Sequence, residues 1–98
     1  MTKIILTGTA LKDLDSIYYF REDLTAKRMV KTILKEIKIL QKLPEAGPID
    51  HLFVDEAKTI RALVVAKGRY KVLYYVEKDQ VYIVRLWDCR RNPGTARM

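Results

Sequence analysis

The sequence predicts a single α+β domain over residues 1–98, in which a helical hairpin packs on one face of a small twisted antiparallel sheet. Three observations predict this class. A short apolar run near the N-terminus indicates a strand. Apolar residues then recur every three or four positions along two segments, and three apolar runs separated by short turns fill the C-terminal part. The predicted order is therefore strand, helix, helix and a three-strand antiparallel meander.

The N-terminal part holds the first strand and both helices. Residues 3–7 are predicted to form the strand, and Thr9 and Thr25 to cap the two helices, because a threonine hydroxyl can accept a hydrogen bond from a free amide of the first turn. The predicted apolar faces consist of Leu11, Leu14, Ile17, Tyr18, Phe20 and Leu24, and of Val30, Ile33, Leu34, Ile37 and Leu40. No Gly or Pro separates the segments, so one long helix is the alternative. We favour a hairpin, since a small domain must fold its apolar stripes together.

The C-terminal part is predicted to be a meander. Pro44, Gly47 and Pro48 end the helical part, and residues 44–58 read as a loop. The strands are predicted at residues 59–67, 69–77 and 80–88. The last strand is apolar on both faces, with Val81, Ile83, Arg85 and Trp87 alternating with Tyr82, Val84, Leu86 and Asp88. Such a strand is usually covered on both sides. The helices can cover one side, and a partner chain is predicted to cover part of the other.

Composition and charge limit the classes of protein to which this sequence can belong. Residues 1–57 carry nine Lys/Arg and nine Asp/Glu, whereas residues 58–98 carry ten and three and so hold the whole net charge of +7. A basic half favours a polyanion or an acidic protein partner, and the alternative is that the cations only solubilise a sheet edge. No apolar run is long enough to span a membrane. Cys89 is the only cysteine, so no internal disulfide or zinc site is expected, and a cytoplasmic location is predicted.

Two sets of basic residues are candidates for function. The second predicted helix carries a net charge of +5 over residues 27–42, six bases minus Glu36. A solvated face is the favoured interpretation of that stripe, and a nucleic-acid or partner surface is the other. On the meander, one face is predicted to gather Arg61, Lys71, Arg90 and Arg91 beside aromatic rings. Guanidinium groups bind phosphates, and rings stack on unpaired bases. The alternative is a cation-rimmed edge with the aromatic residues in the core.

The sequence resembles the RelE/ParE superfamily of toxins from type II toxin–antitoxin systems. Residues 61–93 read RALVVAKGRYKVLYYVEKDQVYIVRLWDCRRNP. They are similar to that family's "R-x-L" strand, its "G-x-Y-R-hydrophobic-hydrophobic-Y-x-V" strand and its terminal "H-x-R-R-x-P" motif. Residues 10–20, ALKDLDSIYYF, are similar to its first helix, "A-x-x-D-L-x-x-I-x-x-Y". The resemblance covers nearly all of residues 3–93 and implies a RelE/ParE-like fold.

The resemblance implies two possible activities. RelE-like members cleave mRNA in the ribosomal A site, and ParE-like members inhibit DNA gyrase. We take ribosome-dependent mRNA cleavage as the first hypothesis and gyrase inhibition as its alternative. A non-catalytic member that only binds its antitoxin, or a plain RNA-binding module, is the further alternative. The implied partner is a cognate antitoxin whose C-terminal segment wraps the toxin, with operator DNA reached only through that antitoxin. No metal, cofactor or membrane is implied.

Site residues are assigned from the resemblance by position. Lys71 stands where the nucleases have a sheet arginine, Arg90 and Arg91 match the terminal arginine cluster, and Arg61 lies in the "R-x-L" strand. Lysine keeps the charge of arginine but not its bidentate fork. Tyr75, or else Tyr70, is the candidate base. Residues 92–98 lack the Tyr or His that many nucleases carry there, and Asp88 stands near the usual His, which favours the gyrase alternative.

Overall fold

The computed structural model describes residues 2–21, 24–53, 55 and 57–90. The elements are β1 (Lys3–Leu6), α1 (Gly8–Arg21), α2 (Leu24–Ile37), a 3-10 helix (Lys38–Gln41), β2 (Arg61–Val65), a 3-10 turn (Ala66–Gly68), β3 (Tyr70–Glu77) and β4 (Gln80–Asp88). The predicted α+β class and element order are confirmed, and the two helices form separate elements. None of the helices in the described ranges is long and apolar enough to cross a membrane.

The sheet has the strand order β1-β4-β3-β2. β2, β3 and β4 form the predicted antiparallel meander. β1 differs from the prediction because it pairs with β4 in parallel, so the whole sheet is mixed. Parallel neighbours need a long connection between them, and here the two helices and the other two strands supply it.

The start of α1 is fixed by Thr7 and not by Thr9. The Thr7 hydroxyl accepts a hydrogen bond from the amide of Ala10 at 3.3 Å and donates one to the carbonyl of Ile83 at 2.8 Å. The prediction for Thr9 is wrong because α1 begins directly after β1, which places Thr9 inside the first turn. Thr25 likewise lies within α2 rather than before it.

The main core lies between the helices and one face of the sheet. Its buried helical side chains are Ala10, Leu14 and Ile17 from α1 and Ile33 and Ile37 from α2. From the sheet it takes Val65, Tyr70, Val72, Tyr74, Val81, Ile83 and Leu86. Except for Leu86, these are the apolar positions of two helical faces and of alternate strand residues, so binary patterning accounts for most of this layer.

A bulge changes which β4 side chains face the helices. The register between β3 and β4 shifts at Leu73/Tyr74, where the partner of Leu73 is Arg85 and that of Tyr74 is Ile83. Leu86 therefore joins the helical side, whereas Val84 and Trp87 lie on the opposite side, which we call the second face. The predicted strict alternation along β4 is wrong beyond Val84, because the extra residue of a bulge reverses the sidedness of the later strand residues.

Much of the second face is covered by the loop that precedes β2. Phe53 and Ile60 pack there against Ala62, Leu73, Val84 and Trp87. Backbone hydrogen bonds of 2.9 Å from Ala62 to Pro48 and from Asp50 to Ile60 hold the loop against β2. The cover that was predicted to come from a partner is supplied, for these residues, by the chain itself.

Tyr74 should make the fold less stable at alkaline pH. Its side chain is fully buried, and its hydroxyl accepts a hydrogen bond from the amide of Gly47 at 2.9 Å. Burial raises the pKa of Tyr74 above its ordinary value of 10.0. As pH rises past that value, the unfolded tyrosine loses its proton while the folded one keeps it. The free energy of unfolding is therefore intact below pH 10 and should fall above it.

Denaturant unfolding between about pH 8 and pH 11 tests this prediction. Tyr74→Phe should be less stable at neutral pH but show a shallower alkaline decline than the natural chain. Tyr19→Phe, at an exposed tyrosine, is the matched control and should leave the decline unchanged. Equal alkaline slopes in the natural chain and in Tyr74→Phe would contradict the assignment.

Candidate functional site

Lys71 lies on the second face and is neutralised by a buried carboxylate. Its ammonium group is 3.5 Å from Oδ2 of Asp50, a side chain that is only 7% exposed. The other carboxylate oxygen of Asp50 accepts hydrogen bonds from the amides of Leu52 at 2.8 Å and Phe53 at 3.2 Å. Lys71 and Asp50 therefore join β3 to the covering loop, and the charge of this lysine is compensated within the chain.

Tyr75 lies on the same face, two positions beyond Leu73, in a row of aromatic and charged groups. Its ring stacks on that of Tyr82, with centroids 5.0 Å apart and planes inclined by 16°. The ammonium group of Lys58 lies 4.9 Å from the Tyr75 centroid and pairs with Glu77 at 2.6 Å. The hydrogen bond between these two groups raises the pKa of Lys58 and lowers the pKa of Glu77.

Arg61 lies at the outer edge of the sheet. It is paired in register with Tyr74, so its side chain leaves the backbone on the helical side of the sheet, opposite to Lys71. Its guanidinium group donates to the carbonyls of Gly47 at 3.0 Å and Glu45 at 3.5 Å. Arg61 thus holds the start of the loop that precedes β2 against the sheet, and Lys71 holds the middle of the same loop.

Arg61 and Tyr75 both line a cleft of about 400 Å³ at this edge. The charged residues that share it are Glu45, Lys58, Arg61 and Glu77. Two cations and two carboxylates leave the cleft with no net formal charge.

Arg90 is the most exposed of the predicted site residues that the structure describes, with 60% of its side chain accessible. Its guanidinium group donates to both carboxylate oxygens of Asp88, at 3.1 and 2.9 Å. Arg91 lies outside the described residues. Asp88, at the position where the resemblance predicts histidine, is therefore the counter-ion of the neighbouring arginine.

The predicted gathering of cations on one sheet face is wrong for the residues that are described. Lys71 and Tyr75 share the second face, Arg61 reaches the cleft from the helical side, and Arg90 lies beyond the end of β4. The reason is register, since Arg61 faces the same way as its partner Tyr74 and not as Lys71. Catalytic roles for these residues remain predictions.

Sequence reasoning missed two features of the site. The carboxylate of Asp13 in α1 accepts hydrogen bonds from the Arg85 guanidinium at 3.0 Å and from the Leu86 amide at 2.9 Å, just after the bulge. Asp13 is the acidic position of the "A-x-x-D-L" pattern, which was the available signal. The second feature is the buried indole of Trp87. Its indole Nε1 is the one buried side-chain nitrogen or oxygen without a hydrogen-bond partner among the residues described.

Comparison with known proteins adds to this geometry. The family model described as "ParE toxin of type II toxin-antitoxin system, parDE" matches residues 4–93. The chain belongs to the ParE toxin family. It is therefore the toxin component of a type II toxin–antitoxin system, which implies a cognate antitoxin as partner. No curated protein matches the sequence at a significant level.

Two solved structures resemble this ParE-family toxin in fold. One is the chromosomal ParDE toxin–antitoxin system from P. aeruginosa, 24% identical with a TM-score of 0.72, covering 90% of this chain and 96% of that one. The other is a copper-bound mutant toxin from Helicobacter pylori, 22% identical with a TM-score of 0.56, covering 90% and 94%. Within the described part of the present toxin, no three His, Cys, Asp or Glu side chains come together as metal ligands.

Proposed function

We propose that this ParE-family toxin acts in the cytoplasm and stops growth by binding DNA gyrase, without cleaving RNA. One observation carries the choice of target. The sheet cations that a nuclease would need are engaged elsewhere, because Lys71 is paired with Asp50 and Arg90 with Asp88.

Cleavage of RNA requires free cations near the scissile phosphate together with an acid and a base within hydrogen-bond reach. In this toxin Lys71 and Arg90 have carboxylate partners, and the ring of Tyr75 is stacked on Tyr82. The described residues thus offer little for phosphate chemistry and fit inhibition by binding better.

Ribosome-dependent mRNA cleavage is the second candidate. Its support is the cleft where Arg61 lies beside Tyr75, a cation and a hydroxyl that could act on one phosphate. The carbonyl hydrogen bonds of Arg61 and the two carboxylates in the same cleft weaken that support. In either case we propose that the antitoxin neutralises the toxin and contacts operator DNA for the complex.

Two assays on the same induced culture distinguish the targets. We expect growth arrest accompanied by loss of plasmid supercoiling, and the purified toxin should inhibit supercoiling of relaxed plasmid by gyrase. Mapped mRNA ends should show no new cleavage at ribosome-protected codons. New ends with normal supercoiling would support the nuclease. Normal growth with a co-purifying partner would indicate a non-catalytic antitoxin-binding member.

Tyr75→Phe sharpens the test because it removes the hydroxyl but keeps the ring stack. If Tyr75 served as acid or base, its loss should slow cleavage by about 10²–10⁴-fold and relieve the arrest. We expect the variant to arrest growth as strongly as the natural toxin at equal protein level. Relief of arrest by a variant with unchanged thermal unfolding would contradict the gyrase proposal.

A further inference from the structure

The longest row of exposed cations among the described residues lies on α2 and the 3-10 helix that follows it. Five lysines follow one another at steps of four, four, three and four, which keeps them on one side of α2 and of the 3-10 helix that extends it, with the last directly after that helix. They are Lys27, Lys31, Lys35, Lys38 and Lys42. We call these five residues the lysine stripe. Core residues Ile33 and Ile37 lie on the opposite side of the same helix, so the stripe points away from the protein.

The stripe differs from Lys71, Arg85 and Arg90 in having no carboxylate partner among the described residues. All five lysines are exposed, and no carboxylate of the described residues pairs with any of them. The one acid among residues 27–42, Glu36, instead accepts a hydrogen bond from the amide of Ala66 at 2.7 Å. Arg28 adds a sixth exposed cation beside the stripe. Over 15 residue steps at about 1.5 Å each, the stripe is roughly 22 Å long.

We propose that the lysine stripe binds the phosphate backbone of duplex DNA without regard to sequence. Charge complementarity carries the choice of partner. One DNA strand presents a phosphate about every 3.4 Å of axis, so a cationic ridge of this length can lie along several phosphates at once. Flexible ammonium groups act as point charges on phosphates, whereas base readout uses the planar donors and acceptors that are absent from the stripe. This inference does not depend on gyrase as the target.

Fluorescence anisotropy with two labelled duplexes of unrelated sequence, each about two helical turns long, tests the proposal. We expect similar affinities for both duplexes and a slope of log K against log salt near −4, at about −0.9 for each phosphate neutralised. The triple variant Lys31→Gln, Lys35→Gln, Lys38→Gln should bind at least about 20-fold more weakly at about 100 mM salt, with the slope shallower by about 2.7.

The matched control is the triple variant Lys12→Gln, Lys67→Gln, Lys78→Gln, which removes the same charge at exposed lysines outside the stripe. It should weaken binding by less than about threefold. Should the first triple variant fail to fold, as judged by circular dichroism, Lys27→Gln with Lys42→Gln tests the two ends of the stripe.

Three results would overturn the proposal. They are equal losses in the two triple variants, absence of DNA binding at low salt, and binding to an RNA hairpin that is much tighter than binding to duplex DNA. A stripe variant that loses affinity for the antitoxin or for gyrase, while its DNA affinity is unchanged, would assign the stripe to an acidic protein instead. Because the assay contains only toxin and nucleic acid, its outcome is independent of the gyrase assay.

Discussion

Asp13→Ala is expected to lower the free energy of unfolding by about 3 kcal/mol. The carboxylate joins α1 to the sheet through the Arg85 guanidinium and the Leu86 amide. Both side chains of the ion pair are mostly shielded from water, at 18% and 21% exposure, so solvent replaces the lost hydrogen bonds only in part. Removing the carboxylate also leaves the Leu86 amide, just past the bulge, without its acceptor.

Asp15→Ala is the control for this prediction. Asp15 is an exposed acid one half-turn further along α1, and its loss should change stability by no more than about 0.5 kcal/mol. Chemical denaturation of both variants gives the comparison. Similar midpoints for Asp13→Ala and Asp15→Ala would show that the bond between helix and bulge contributes little.

Gly47→Ala should cost about 2–3 kcal/mol of stability, because the loop crosses β2 too closely for a side chain. A Cβ at this position would lie 2.7 Å from the carbonyl oxygen of Ala62 and 3.0 Å from Cε1 of the Tyr74 ring. The carbonyl belongs to a strand backbone and the ring is fully buried, so neither has room to move. The substitution should also lengthen the bond from the Gly47 amide to the Tyr74 hydroxyl.

Gly8→Ala is the matched comparison, since a Cβ there meets no atom within 4 Å. It lies in the first turn of α1, where alanine reduces the entropy of the unfolded chain and should be neutral or slightly stabilising. Thermal unfolding of the two variants should therefore move in different directions. A Gly47→Ala variant as stable as Gly8→Ala would mean that the loop can shift away from β2.

The main layers of this fold arise from local patterns. The spacing of Ile33, Ile37 and Leu40 defines the buried side of α2 and its extension, and the turn at Lys78–Asp79 separates β3 from β4 where predicted. Both residues of that turn have positive φ, which suits a two-residue hairpin connection. These features depend on neighbours in sequence, so the sequence alone is sufficient to predict them.

The candidate site is harder to predict because it depends on contacts between distant segments. The position of a single bulge decides which way Leu86 and Trp87 face, and no composition signal marks that position. Asp50 lies in a predicted loop with no role assigned by its neighbours in sequence, yet it is the counter-ion of Lys71. The basic half therefore resembles a cationic surface in sequence, although its described sheet cations are largely compensated by nearby acids.

The parallel pairing of β1 with β4 has a consequence for synthesis. Residues 3–6 leave the ribosome long before their hydrogen-bonding partners, residues 80–83. The hydrogen bond from the Thr7 hydroxyl to the carbonyl of Ile83 also cannot form until β4 has been made. A nascent chain that stops short of β4 can form its helices but cannot complete the sheet. Native structure, and with it any harm to the cell that makes the toxin, should thus arise only after β4 has been translated.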